Sequence, residues 1–591
     1  MDEEQELVRL HGDKKIPFLT LARRILGYAR GYRFQLFLAF LLLLVSAGVE
    51  IALPLLTGWL IDYLKGKFGN PALMMIAGLA LGYLALALVA KLGRFGEGLL
   101  LQKAGQGIVY RLRNEVFAHI EMMSQRQFNE MPVGSLVTRV SNYTAAVSDL
   151  FSGVLLNVFS NVLMIVAVFS IMLVLSWRLS LILLIFVAAA GVTSFFFGKT
   201  IGGRYRRERK LLSGLNSFLS ENLAGMRLIQ IFNQQGKKAE EFKKGNEQLR
   251  TAAYGVNVAF AFYRPFISFL HYAAIAATLG LGILFSFSGG EIVAFYLYLD
   301  RFFYPVQDIA DQVNQIQHAF TFCERLFNLL DVEPEVVDEP DAIEISSFEG
   351  RIEFEHVYFA YEGENWILKD VSFLVEPKTT AAFCGATGAG KTTILSLLVR
   401  NYKPQKGCIL IDGVDIAHIK IKSLRRAIGQ MLQDVFLFSG TIESNITLHD
   451  EDFSPAEIKD ACDYVNASGF IDKLPKGLQE EVAENGANFS AGQRQLLSFA
   501  RTVLHKPQLL ILDEATSNID AETEVLIQNS LEKMKSIGTM LVVAHRLSTI
   551  QHADNIICLQ NGEIVEQGNH QSLLRKRGYY YRLYQLQFAN N

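Results

Sequence analysis

Long apolar runs dominate the first half of the chain, near residues 34–61, 71–92, 151–175, 179–198, 262–287 and 292–317. Each is long enough to cross a bilayer as a helix. The first five carry few charges. The sixth contains Asp300, Arg301, Asp308 and Asp311, so its early part, Ile292 to Leu299, reads as membrane and its later part as a helix emerging into water. From Gly350 onward the pattern changes, and short apolar strands alternate with helical stretches. That rhythm predicts an α/β domain. Between the two lies an acidic, proline-bearing stretch, Asp331 to Pro340, which reads as a linker.

Charge placement orients the first half. Arg23, Arg24, Arg30 and Arg33 precede the first run, and Arg204, Arg206, Arg207, Arg209 and Lys210 follow the fourth. Both clusters belong on the cytoplasmic side by the positive-inside rule, although Lys65 and Lys67 in the first outer loop run weakly against it. Six spans then place both termini and the α/β domain in the cytoplasm, with the chain multi-pass in the inner (cytoplasmic) membrane. The outer loops are short. The two inner ones, near 93–150 and 200–260, are long, rich in helix formers and broken near Pro132-Val133-Gly134 and Gly225. Each reads as a helical hairpin extending the membrane helices by about 38 Å per arm of about 25 residues, at about 1.5 Å per residue.

Composition narrows the function. Of 591 residues half are hydrophobic, and 56 basic against 59 acidic side chains leave a net charge of −3. So even a balance gives no reason to expect nucleic acid as a partner. The five cysteines all lie in the second half and show no metal-ligand spacing, as suits a reducing cytosol. The acidic N-terminus, Met1-Asp2-Glu3-Glu4, shows no cleaved signal peptide.

The sharpest local signal is Gly385-Ala386-Thr387-Gly388-Ala389-Gly390-Lys391-Thr392-Thr393. An apolar strand, Thr380 to Cys384, precedes it and a helix follows. This is the phosphate-binding (Walker A) pattern: backbone N–H groups line an anion site at a helix N-terminus, Lys391 reaches the outer phosphates, and Thr392 ligates Mg²⁺. Leu509-Leu510-Ile511-Leu512-Asp513-Glu514 reads as the buried Walker B strand. There Asp513 would hold Mg²⁺ through water, and Glu514 would polarise the attacking water as general base. ATP and Mg²⁺ are the implied ligands.

Further motifs stand in order along the chain: Tyr361 in Phe359-Ala360-Tyr361, Gln433 in Leu432-Gln433-Asp434, Phe489-Ser490-Ala491-Gly492-Gln493, Ser517-Asn518-Ile519-Asp520, and His545 in Ala544-His545-Arg546. With these the whole chain resembles the ATP-binding cassette transporters, specifically exporters in which six spans are fused to one cassette. The resemblance implies a membrane domain over 1–330, a linker at 331–349 and a P-loop nucleotide-binding domain at 350–591. It implies that Tyr361 stacks on adenine, that Gln433 touches Mg²⁺ and the membrane domain, and that His545 contacts the γ-phosphate. Ser490, Gly492 and Gln493 of the signature, with Asp520 of the D-loop, would face the ATP of a second half-transporter. Coupling helices would lie within 128–139 and 217–231.

The chain departs from the family pattern at its signature, where Ala491 replaces a glycine, and just before it, at Ala483-Glu484-Asn485-Gly486. A methyl at 491 crowds the approach to phosphate and removes glycine's freedom at positive φ. With Walker A, Glu514 and His545 intact, this is the pattern of one half of a heterodimeric multidrug exporter, whose partner would have a good signature and no catalytic Glu. A homodimer that tolerates alanine, exporting lipids or peptides, is the alternative.

The last two runs are aromatic, and Tyr296 and Phe303 flank Asp300. Aromatic faces suit flat apolar or cationic compounds. Glu50 and Asp300 are ionisable groups at membrane depth, which usually face a cavity or a partner, Asp300 having Arg301 beside it. The expected substrate is a small amphiphile, handled within the lipid bilayer.

Overall fold

The computed structural model describes residues 16–66, 73–285, 287–432, 434–450, 452–513, 521–543 and 550–588. The chain divides into two compact units: Met1–His119 with Val133–Val332, and Ile120–Pro132 with Glu333–Asn591.

The first unit is helical. Its long elements are α1 (Phe18–Ala29), α2 (Arg33–Leu64), α3 (Leu73–Met122), α4 (Leu155–Leu175), α5 (Trp177–Ala224), α6 (Gln235–Leu284) and α7 (Gly289–Leu330). The largest hold 50 residues, about 75 Å at 1.5 Å per residue, so they outrun a hydrocarbon core of about 30 Å. Among the described residues five helical stretches are long and apolar enough to cross a membrane: Phe18–Leu64, Leu73–Met122, Leu156–Leu175, Trp177–Ala224 and Gln235–Leu284. Helix α7 is comparably long but falls short of that apolar standard, in keeping with the charges noted in its run.

Local chemistry sets the helix ends. Ser288 caps α7 through a reciprocal pair with Glu291, and Ser176 ends α4 and caps α5, which makes the tight turn between them. The core of this unit joins Met164, Val168 and Met172 of α4, Leu179, Leu183 and Ala190 of α5, Ile267 and Ala274 of α6, and Phe295, Tyr298, Phe302 and Phe303 of α7.

The inner hairpins break at short helices. One, Gln125–Asn129, begins three residues before the expected stretch because Ser124 and Gln127 form a capping box. The other, Met226–Ile231, follows Gly225, which closes α5. The Gln125–Asn129 helix groups with the second unit, where Gln127 Nε2 donates to the Glu333 carbonyl at 2.8 Å and Ser124 Oγ to Glu335 at 3.1 Å.

The second unit is α/β. Its strands are β1 (Ile352–Ala360), β2 (Trp366–Val375), β3 (Thr380–Cys384), β4 (Lys406–Ile411), β5 (Val414–Asp415), β6 (Ile428–Met431), β7 (Gly440–Thr441), β8 (Glu481–Val482), β9 (Leu509–Asp513), β10 (Thr539–Val543), β11 (Asn555–Gln560) and β12 (Glu563–Gly568). An antiparallel sheet runs β2-β1-β4-β5, and a six-stranded sheet runs β12-β11-β3-β10-β9-β6. In the latter β11, β3, β10, β9 and β6 are mutually parallel. All five residues of β3 are buried. Ala381 and Phe383 face one hydrophobic layer, and Ala382 and Cys384 the other. That is the two-residue period of a strand covered on both faces.

The stretch read as a linker packs, from Glu333 onward, on this unit. Ile343 and Ile419 form a β-bridge, Ile421 N donates to Asp338 at 2.7 Å, and Arg400 donates to the carbonyls of Ile419 and Val337. The buried Arg400 side chain thus ties the stretch at Val337 to the turn at Ile419.

Candidate nucleotide site and membrane cavity

Strand β3 runs from the middle of the parallel sheet into the loop 385–390, which opens helix α8 (Lys391–Leu398). Two glycines are compelled here. Gly385 has φ +148°, and a Cβ there would sit 2.2 Å from the Leu559 carbonyl oxygen. Gly390 caps α8 at φ +100°, and its Cβ would come within 2.6 Å of Leu368 Cδ2. Side chains are excluded by both the dihedral and the space. Lys391 is buried, and its Nζ donates to the carbonyls of Gly385 at 2.9 Å and Ala386 at 3.1 Å. A cation drawn into a glycine loop at a helix N-terminus is an anion receptor. The residues therefore fit a nucleotide phosphate. Mg²⁺ also fits, since Thr392 is exposed at the first turn of α8 and Asp513 ends β9, both hard oxygen donors.

Tyr361 lies just beyond β1, 38% exposed. Its ring meets Phe359 and Tyr402 edge-on, with centroids 4.9 and 5.1 Å apart. Its hydroxyl lies 3.1 Å from Thr393 Oγ1, which ties it to α8. Burial pushes the Tyr402 phenol pKa up, and the neighbouring Tyr361 adds to the rise.

The signature forms the start of helix α9 (Ala491–Leu504), capped by Ser490 with a Gln493 box. Ala491 is the first helical residue, not a left-handed one. The substitution therefore removes no needed freedom at positive φ, and only the methyl itself remains as a consequence. The preceding turn does need a left-handed residue. Asn485 supplies it at φ 56°, a conformation asparagine tolerates better than most side chains. Asn488 braces the turn by accepting from Ala483 N and donating to the Glu481 carbonyl.

Gln433, Glu514, Asp520 and His545 lie outside the described residues, so the structure brings together Tyr361, the 385–393 loop and the Asp513 strand end within one domain. In the helical unit the substrate candidates part company. Phe303 is buried in the core. Glu50 pairs with Arg94 at 3.4 Å, and Arg94 also reaches Glu97 at 3.4 Å. Tyr296 and Tyr304 are exposed on α7, and the Asp300 carboxylate between them is half exposed. Its ionic neighbour is not Arg301 but His271 of α6, with Nε2 3.1 Å from Oδ1.

Three features escaped the sequence reading. His271 sits in an apolar run, seven residues after Arg264, and only the packing of α6 on α7 gives it meaning. Cys384 and Cys558 are register partners on β3 and β11, with sulfurs 2.7 Å apart; that contact and burial push the Cys558 thiol pKa far up. Tyr579, near the C-terminus, accepts from Ala386 N at 3.4 Å.

Comparison with known proteins agrees with this geometry. Residues 36–306 match the family model of the ABC transporter transmembrane region, and residues 368–517 match the family model described as ABC transporter. A Bacillus subtilis protein named "Probable multidrug resistance ABC transporter ATP-binding/permease protein YheH" is 37% identical over 84% of this chain and 74% of its own length. The ATP-dependent lipid A-core flippase of Syntrophus aciditrophicus is 31% identical over 99% of this chain and 96% of its own. The solved structure of a bacterial Atm1-family ABC exporter with ATP bound superposes with a TM-score of 0.79 at 27% identity, covering 97% of this chain and 99% of that one. A membrane region and an ATPase on one polypeptide, matched along nearly its whole length, place the chain in the ABC exporter family as a half-transporter that works as a dimer and couples ATP hydrolysis to transport.

Proposed function

We propose that this half-transporter exports hydrophobic or amphiphilic compounds of the multidrug type from the cytoplasmic membrane. In this reading α7 supplies the sixth span, and both termini lie in the cytoplasm. The observation that carries it is the Tyr296–Asp300–Tyr304 stripe, spaced four residues apart on α7 and turned away from the chain's own core. A carboxylate held at membrane depth between aromatic rings suits a cavity better than lipid. The multidrug and lipid descriptions of its relatives support the same substrate class.

In the cassette Tyr361 stacks on adenine, the 385–393 loop and Lys391 hold the phosphates, and Thr392, Asp513 and Gln433 hold Mg²⁺. The metal, when bound, neutralises charge developing on the transferred phosphoryl group. Glu514 polarises the attacking water and His545 steadies the γ-phosphate. Ser490, Gly492, Gln493 and Asp520 act on the nucleotide of the partner half. Closure of the two halves over ATP, and their parting after hydrolysis, drives the membrane domain between inward-facing and outward-facing states. Tyr361→Ala is expected to weaken ATP binding by about 1–3 kcal/mol, by analogy with base–aromatic stacking. Tyr361→Trp is expected to retain most of it. Equal affinities of all three proteins in a nucleotide titration would remove Tyr361 from the adenine site.

The partner is taken to be a different chain, because Ala491 places a methyl at the helix N-terminus that must approach phosphate. The helical backbone at Ala491 favours the second reading, a homodimer, since alanine is at ease there. Expressed alone, the chain is expected to show little ATPase, and with its partner to form a one-to-one complex. A purified homodimer with full substrate-stimulated turnover would decide for the second reading.

A further inference from the structure

The His271–Asp300 pair sits where a membrane protein can least afford idle charge. Asp300 lies 11 residues into α7, about 17 Å from its outer end at 1.5 Å per residue. His271 lies 13 residues before the end of α6, about 20 Å. Both therefore fall near the middle of a core about 30 Å thick. The His271 ring packs against Phe303 and Tyr272, with centroids 5.0 and 5.7 Å away. Its Nε2 is buried and within ion-pair distance of Asp300, yet lacks the alignment of a hydrogen bond. The carboxylate lies against the ring and is half exposed, with the exposed Tyr296 and Tyr304 four residues to either side of it on α7.

The nearest charged positions on the pair's own helices are Arg301, beside Asp300, Arg264, seven residues before His271, and Asp308, eight residues after Asp300. Residues 157–175 of α4 and 179–198 of α5 contain no ionisable side chain. On α2, Glu50 is engaged by Arg94. On α6 the nearest titratable neighbour is Tyr272, and on α7 they are Arg301, Tyr296, Tyr304 and the buried Tyr298, whose hydroxyl donates to the Ile51 carbonyl of α2. Among the described residues the ionic partner of Asp300 is His271, and the half-exposed carboxylate leaves room for a cation from outside the chain.

We propose that His271 and a lipophilic organic cation compete for Asp300, so that the pair is a proton-gated cation site in the transport cavity. This rests on the export reading above. With a neutral imidazole the carboxylate is uncompensated, and the tyrosine rings and Asp300 bind a cation together. With imidazolium the pair is neutral by itself, and a cation can enter only as His271 releases one proton. Binding affinity then scales with the fraction of the site in which the imidazole is neutral.

Binding of radiolabelled tetraphenylphosphonium to the full-length dimer in nanodiscs, between pH 5.5 and 8, tests this against an uncharged probe of similar size. The expected Kd for the cation rises by about tenfold as pH falls across this range, while that of the uncharged probe stays within about twofold, the effect being tied to charge. His271→Gln is expected to hold the high-pH affinity throughout. Asp300→Asn is expected to bind the cation weakly at every pH and the uncharged probe normally, which also reports intact folding. A pH dependence that survives in His271→Gln, or unchanged cation binding in Asp300→Asn, overturns the competition. If the uncharged probe binds and the cation does not at any pH, the site is not cationic, although amphiphile export stands. If neither binds, the export reading itself falls and takes this site with it.

Discussion

Glu514→Gln is expected to leave ATP binding intact and to lower steady-state hydrolysis by about two orders of magnitude or more, the usual loss of a general base. The physical ground is the strand before it. Four of the five residues of β9 are buried, and Asp513, its last residue, is in register with Val543 of β10. A parallel sheet delivers the side chains at its carboxyl edge to one crevice, the edge from which β3 sends out the phosphate loop. Glutamine keeps the size of the side chain and loses its basicity, so binding and turnover separate. Nucleotide affinity and ATPase rate measured on the same purified complex check this. Near-normal turnover would take Glu514 out of the base role. If only one of two sites carries a catalytic Glu, changing it alone is expected to abolish most hydrolysis.

Lys391→Met is expected to weaken ATP binding by about tenfold to a hundredfold, corresponding to the loss of a charge-assisted hydrogen bond of about 1.5–3 kcal/mol. The Lys391 amine donates to two loop carbonyls within its own site. ATP must draw it off those carbonyls, so its contribution to affinity is the difference between two sets of bonds. That difference favours phosphate because both partners are then charged. Methionine retains the aliphatic packing of a buried side chain, which separates charge from volume. A nucleotide titration with a parallel thermal melt makes the check: unchanged affinity would show that the loop amides hold the phosphate unaided, and a loss of melting temperature alone would assign Lys391 to packing.

Much of the architecture was legible because it is written in contiguous residues. Apolar runs longer than a bilayer is thick have few alternatives to helices, and five stand out again in the structure. The loop 385–393 was legible because each glycine answers a local demand, here a positive φ and a backbone approach. The start of the Gln125–Asn129 helix is also written locally, in the Ser124 and Gln127 capping box, whereas the stretch 128–139 came from the family resemblance. The expected loss of freedom at positive φ at Ala491 failed for another reason: a substituted glycine does not reveal which φ its backbone holds, and here the Ser490 cap fixes a helical one.

The sequence by itself determined a membrane-spanning helical half, a P-loop ATPase half and the motifs that join them, since each depends on neighbours close along the chain. Only the tertiary structure decided that Asp300 answers to His271 rather than to adjacent Arg301, that Glu50 is engaged by Arg94 and Phe303 by the core, and that Cys384 meets Cys558. It also decided that residues 120–132 fold with the cassette. Each of these is a contact between residues far apart in sequence. Adjacent residues on a helix point about 100° apart at 3.6 residues per turn, so proximity along the chain is not proximity of charge, and the packing of helices and strands chooses the partners.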